Sequence, residues 1–249
     1  MRRVARLCVA LLSACGSTEP PTDPADVVAT APPKARGPIQ PRTAYAECVV
    51  TLRGTTPDPA DAGSAAYIEA STFEVHGDID GAIGAYRDFV SANAGSKLVP
   101  RAYFALGILS AHQAESDPDR WIVAEQSFNS VLGYATDVDL VTYVELARVQ
   151  NRRGKWPETL RTANKAADRA RAAPNTPCAE LAITQVSDYF IEAYVETGDP
   201  ARAFSACRRL MGPLRIDEAA VLTERIARVY EKRGDAKAAS DSRAGIGPK

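Results

Sequence analysis

Only two histidines, His76 and His112, stand among 249 residues, so a multi-histidine metal site or a Ser/His/Asp triad has little raw material. His76 precedes Gly77 at the end of an apolar-periodic stretch, where an imidazole complements the carbonyl end of a helix. His112 has no second histidine near it in sequence. The run Asp78-Ile79-Asp80-Gly81 has the spacing that opens a calcium loop, but Phe89 occupies the twelfth position, where a bidentate glutamate is needed. No nucleophile, base and orienting group cluster in the chain. The residues therefore predict a non-enzymatic protein with no cofactor, no metal and no small-molecule substrate. Thirty Lys and Arg against 31 Asp and Glu, a net charge of -1, give no sequence-wide basic field for gripping nucleic acid.

The cysteines carry more information. Arg2, Arg3 and Arg6 form a positive start, Leu7 to Leu12 a short apolar stretch, and Leu12-Ser13-Ala14-Cys15 a small-residue ending. This reads as a secretory signal over residues 1–14. Its apolar stretch is far shorter than the roughly 18 residues a membrane-crossing helix requires. Leu-Ser-Ala-Cys also resembles the lipobox of bacterial lipoproteins, and that resemblance implies cleavage before Cys15, diacylglycerol on its thiol and acylation of the new amine. Each buried CH₂ contributes about 0.8 kcal/mol, so a tri-acylated terminus holds to a membrane without crossing it. Gly16 follows where lipoproteins retained at the inner membrane carry aspartate. The resemblance thus implies the periplasmic face of the outer membrane.

Residues 15–43 read as a tether. Between Gly16 and Pro41 stand seven prolines among Ala, Thr, Asp and Ser, with too little apolar surface to fold. Such a chain extends about 3 Å per residue. Residues 44–62 read as a short packing segment or a strand, carried by Ala44 to Arg53. In an oxidising compartment Cys48, Cys178 and Cys207 allow one disulfide. Cys178 and Cys207, 29 residues apart within one expected hairpin, are the expected pair. The alternative is two buried thiols acting as small hydrophobes.

From residue 63 to 246 the chain turns to Ala-rich stretches with apolar residues three and four apart, punctuated at Gly77-Asp78, Gly154-Lys155, Gly198-Asp199 and Gly234-Asp235. The intervals are 77, 44 and 36 residues, the first being two repeats of about 38. A period in this range signals helix hairpins stacked as an α-solenoid. The residues resemble the tetratricopeptide repeat. Tyr103, Leu106, Gly107, Ala124 and Phe128 fit one hairpin; Tyr143, Leu146, Ala147 and Trp156 the next; Phe190, Tyr194, Gly198, Ala203 and Phe204 another; Ile226, Ala227, Tyr230, Gly234 and Ala239 the last. Ala66, Ala70, Phe73, Gly77, Ala82 and Tyr86 fit the first. Glu69 and Thr159 depart from the pattern, at positions expected to hold leucine and alanine, and His112 to Arg120 contains an insertion. The stretch Ala85–Gly107 is similar to a hairpin junction in periplasmic envelope proteins of this class, including the lipoprotein of the β-barrel assembly machine and the Tol-associated division coordinator. The resemblance implies an all-α, right-handed solenoid of about five hairpins.

It also implies a concave groove lined by the first helix of each hairpin. Projecting the register places Arg101, Phe104 and His112 there, then Arg148, Asn151 and Arg152, then Asp188 and Glu192. A cationic band beside an anionic one suits an extended peptide or a complementary helix, although solenoid helices also carry charge simply as a solvated face. Arg148 and Arg152, one turn apart, are the expected partner contact. The resulting expectation is a lipid-anchored, periplasm-facing scaffold for envelope proteins. A dedicated subunit or assembly factor of a barrel-assembly or secretin machine is the alternative, and an enzyme supported by helical repeats the remote one.

Overall fold

The computed structural model describes residue 48 and residues 57–134, 138–172, 177–211 and 216–244. The expected signal peptide, Cys15, the tether and most of residues 44–62 lie outside them. Among the described residues the fold is all-helical, with no strand. Ten helices follow one another: α1 (Ser64–Val75), α2 (Ile79–Ala92), α3 (Val99–Gln113), α4 (Arg120–Val131), α5 (Asp139–Arg152), α6 (Trp156–Ala172), α7 (Pro177–Glu196), α8 (Pro200–Met211), α9 (Ile216–Lys232) and α10 (Ala236–Arg243). Each packs on the next, and α3, α5, α7 and α9 also touch in succession. None of the described helices is long and apolar enough to cross a membrane.

A left-handed glycine ends the helix at four of the connections, followed by aspartate at three of them and by Lys155 at the other. Gly77, Gly154, Gly198 and Gly234 all have left-handed φ, between +68° and +79°, a conformation that costs an L-residue with a Cβ about 1–2 kcal/mol. At each, the next amide reaches back over the helix end: Asp78 N–H to Phe73 O at 3.0 Å, Lys155 to Gln150 at 2.9 Å, Asp199 to Tyr194 at 2.7 Å, Asp235 to Tyr230 at 3.0 Å. These bonds satisfy carbonyls that the helix end leaves open. The aspartate then starts the following helix. Asp78 Oδ1 accepts from Gly81 N–H and Asp235 Oδ1 from Ala238 N–H, each at 2.9 Å. His76, in turn, is the C-cap of α1, as its place before Gly77 suggests.

The hairpins are filled in two ways. In α1 to α3, Tyr67 meets Tyr86 and Phe89 edge to face at centroid distances of 5.5 and 5.6 Å. Helix α3 is buried on two sides: Ala102, Ala105, Leu106 and Leu109 join that cluster, while Phe104 and Ala111 join the next. Its apolar residues therefore run round the helix and form no single stripe. Gly107 lets α4 approach, since a Cβ there would stand 2.6 Å from the Phe128 ring. Phe128 in turn lies edge to face with Phe104 at 5.8 Å. Beyond α5 the buried residues are mostly small, among them Ala163, Ala166, Ala167, Ala182, Ala193, Ala203 and Ala206. Thr159, in place of an expected alanine, is fully buried and its hydroxyl donates to Lys155 O at 3.0 Å. Glu69 is exposed on α1, where no described helix would receive a leucine.

The disulfide departs from expectation. Cys48, buried and helical, is bonded to Cys178 at the start of α7, and Cys207 is free. The expected pair fails on geometry. Cys207 Sγ donates to Ser187 O at 3.6 Å, and Ser187 lies nine residues along α7 from Cys178, about 13 Å at 1.5 Å per residue. A disulfide requires Cα atoms within about 7 Å. Burial pushes the Cys207 thiol up to about 11, so it stays protonated and unreactive.

Candidate functional site

The face where α5, α7 and α9 meet carries Arg148, Arg152, Asp188 and Glu192 of the expected groove, and two of them are held by charged neighbours outside that set. Glu145 on α5 is 5% exposed and receives Arg148 Nε at 2.8 Å and a second guanidinium nitrogen at 2.7 Å. The same guanidinium stands 5.8 Å over the Trp121 ring. A carboxylate so buried needs its cation, because leaving it unpaired carries a large desolvation penalty. Arg148, expected from the sequence as a partner contact together with Arg152, is thus held by Glu145 while its side chain stays 30% exposed. Asp188 on α7 accepts from Arg225 Nε on α9 at 3.1 Å. Glu196 pairs with Arg233 at 3.3 Å, and Arg233 also donates to Val195 O at 2.9 Å.

Three charges remain at the centre of this face. Glu192 on α7 is half-buried, and burial, followed by the nearby Asp188 charge, raises its carboxyl above the ordinary range. Lys232, Arg152 and the Asn151 amide oppose that rise. Arg152 and Lys232 are both exposed. Asn151 is 6% exposed, and its Nδ2 makes no hydrogen bond of good geometry. Beside them Tyr189 is pushed well above the usual phenol range, chiefly by burial and then by the Glu145 charge. Its hydroxyl donates weakly to Gln185 Oε1 at 3.4 Å.

The other expected groove residues divide. Phe104 is 1% exposed and belongs to the core, a correction whose reason is the two-sided burial of α3: the aromatic that a groove would show is needed against Phe128. Asn151 is likewise mostly buried and reaches the face only through its amide. Arg101 is half-buried, and His112 is exposed in the last turn of α3. The structure brings Arg152, Asp188 and Glu192 together.

Sequence reasoning missed Arg225, Lys232 and Tyr189, and it named Cys48 as a possible disulfide cysteine without pairing it to Cys178. A signal for the first existed. Asp188 and Arg225 are 37 residues apart, close to the spacing expected from the Gly-Asp punctuation, and α7 and α9 are in contact. The Cys48–Cys178 pairing had none, because it spans 130 residues from a segment without periodicity. Among the described residues no three His, Cys, Asp or Glu side chains converge as a metal site. A scan of protein-family models, a search of curated proteins and a search of solved structures each find nothing that matches this chain.

Proposed function

We propose that this protein is a non-enzymatic docking scaffold, a right-handed solenoid of tetratricopeptide-like hairpins held by lipid on Cys15 at the periplasmic face of the outer membrane. One observation supports the reading above others: alternate helices α5, α7 and α9 lie side by side, and their shared face leaves exposed cations at Arg152 and Lys232 around the half-buried Glu192. An extended envelope peptide or a partner helix is the fitting occupant, because one helix face repeated at regular intervals presents evenly spaced groups to a linear ligand. The recurring Gly-Asp connections and the 37-residue pairing of α7 with α9 support the repeat assignment.

The test is capture of partners from the protein's own membranes after mild crosslinking, comparing wild type with Arg152→Glu/Lys232→Glu. Loss of specific partners in the variant, with the helical circular dichroism kept, is the expected result. An identical set from both proteins contradicts docking at this face. Cys15→Ala is expected to release the protein from outer-membrane fractions, and unchanged fractionation removes the anchor.

A further inference from the structure

We infer that the Cys48–Cys178 disulfide makes α7, and not α1, the point at which the N-terminal chain joins the helical array. By sequence alone the chain enters at α1 and passes through six helices before α7. The disulfide short-circuits that route, since the covalent path from the N-terminus now runs through residue 48, across the two sulfurs and into residue 178. Residues between them, with all of α1 to α6, form a closed ring beside that path.

The consequence is mechanical. In stacked hairpins each unit contacts only its neighbours, so a pull on one end peels the array unit by unit. Helix α1 is the natural first casualty, with Ile68 47% and Val75 83% exposed and no described helix over them. With the disulfide closed, a pull on the N-terminal chain bypasses α1 and falls on the first turn of α7. The later turns of α7 carry Asp188 and Glu192. The inference rests on the docking reading only for what α7 then does, which is to connect a tether directly to a partner-bearing helix. The path itself follows from the bond.

Force spectroscopy on the full chain, with handles on enzymatic tags at both ends, reads the path directly. Oxidised wild type is expected to release about 45 nm less contour length than Cys48→Ser, which is the 130-residue separation at roughly 3.3–3.6 Å per residue. Cys207→Ser is expected to match wild type. Adding dithiothreitol to the held, folded wild type restores the missing length as its two thiols close to a cyclic disulfide and both cysteine sulfurs become thiols. That arm serves even if Cys48→Ser folds poorly. Equal lengths before and after reduction overturn the inference. So does a shortfall near 10 nm, the mark of a 29-residue Cys178–Cys207 loop. Partner capture plays no part in this readout, so failure of the docking reading and failure of the force path are told apart.

Discussion

The first four described helices and the last six are built from different materials. Residues 57–134 hold eleven acidic side chains against four basic ones, and residues 138–244 hold fifteen against eighteen. A nearly neutral chain therefore conceals an acidic stretch with a net of -7 followed by a basic one with a net of +3. The cores differ too. Aromatic rings interlock in α1 to α4, whereas α6 to α10 bring small side chains close and pin helix to helix with ion pairs such as Asp188–Arg225, Glu196–Arg233 and Glu224–Arg243. Bulky packing is sensitive to volume and indifferent to salt, while exposed ion pairs are weak singly and screened by salt. The two ends should thus fail by different routes.

Opening the disulfide should have the largest effect, because it closes a covalent loop that takes in all of α1 to α6. Closing a loop of 130 residues stabilises by about 5 kcal/mol in the chain-entropy account. Cys48→Ser should lower the denaturation midpoint and split one transition into two; a single unshifted transition contradicts the staple. Next comes Phe128→Ala at the α3–α4 crossing, with an expected loss of about 3–5 kcal/mol, checked by urea denaturation. If it costs no more than an exposed substitution, the aromatic account of the first hairpins is wrong. Gly77→Ala and Gly234→Ala serve as the matched pair. A Cβ meets nothing within 4 Å at either position, so only the left-handed backbone is strained and each should cost about 1–2 kcal/mol. Unequal costs would show that the two ends do not share one turn.

The smallest effect is on charge and belongs to the last hairpin. Arg243 donates to Glu224 at 2.7 and 3.0 Å and to Glu231 at 2.7 Å, holding α10 on α9. Hydrogen bonds from Arg243 and then Arg228 pull the Glu224 carboxyl from 4.5 down to about 2. A lowered folded value means stability that is present above the ordinary glutamate range and lost as pH falls toward about 2. Amide exchange in α10 should therefore accelerate between those limits and in 1 M salt, with α1 and α2 showing no salt response. Glu192 has the opposite sign. Its raised carboxyl means that ionisation disfavours the fold as pH climbs out of the ordinary range, so Glu192→Gln should raise the melting temperature at pH 7 and leave it unchanged at pH 3.

Much of the architecture was legible because local chemistry carries it. Gly-Asp pairs mark the turns, since only glycine takes the left-handed position without cost and only a short side-chain acceptor caps the next amide. Gly107 and Phe128 announced their crossing by size. The site was less legible. Arg148 looked like a free groove cation because the sequence does not show that Glu145, three residues earlier, is buried and needs it. Phe104 looked like groove lining because a projection from one helix cannot tell that α3 is covered twice. A disulfide among Cys48, Cys178 and Cys207 was legible, but its pairing was not, because partners 130 residues apart are joined by tertiary structure alone.

The docking claim is tested most directly by placing a photo-crosslinking amino acid at Arg152 on the α5 face and, in a second protein, at the exposed Arg161 on α6. Irradiation in the protein's own membranes should yield discrete crosslinked species from position 152 and none from 161. Crosslinks from 161 alone, or the same species from both, would contradict a docking face built from alternate helices.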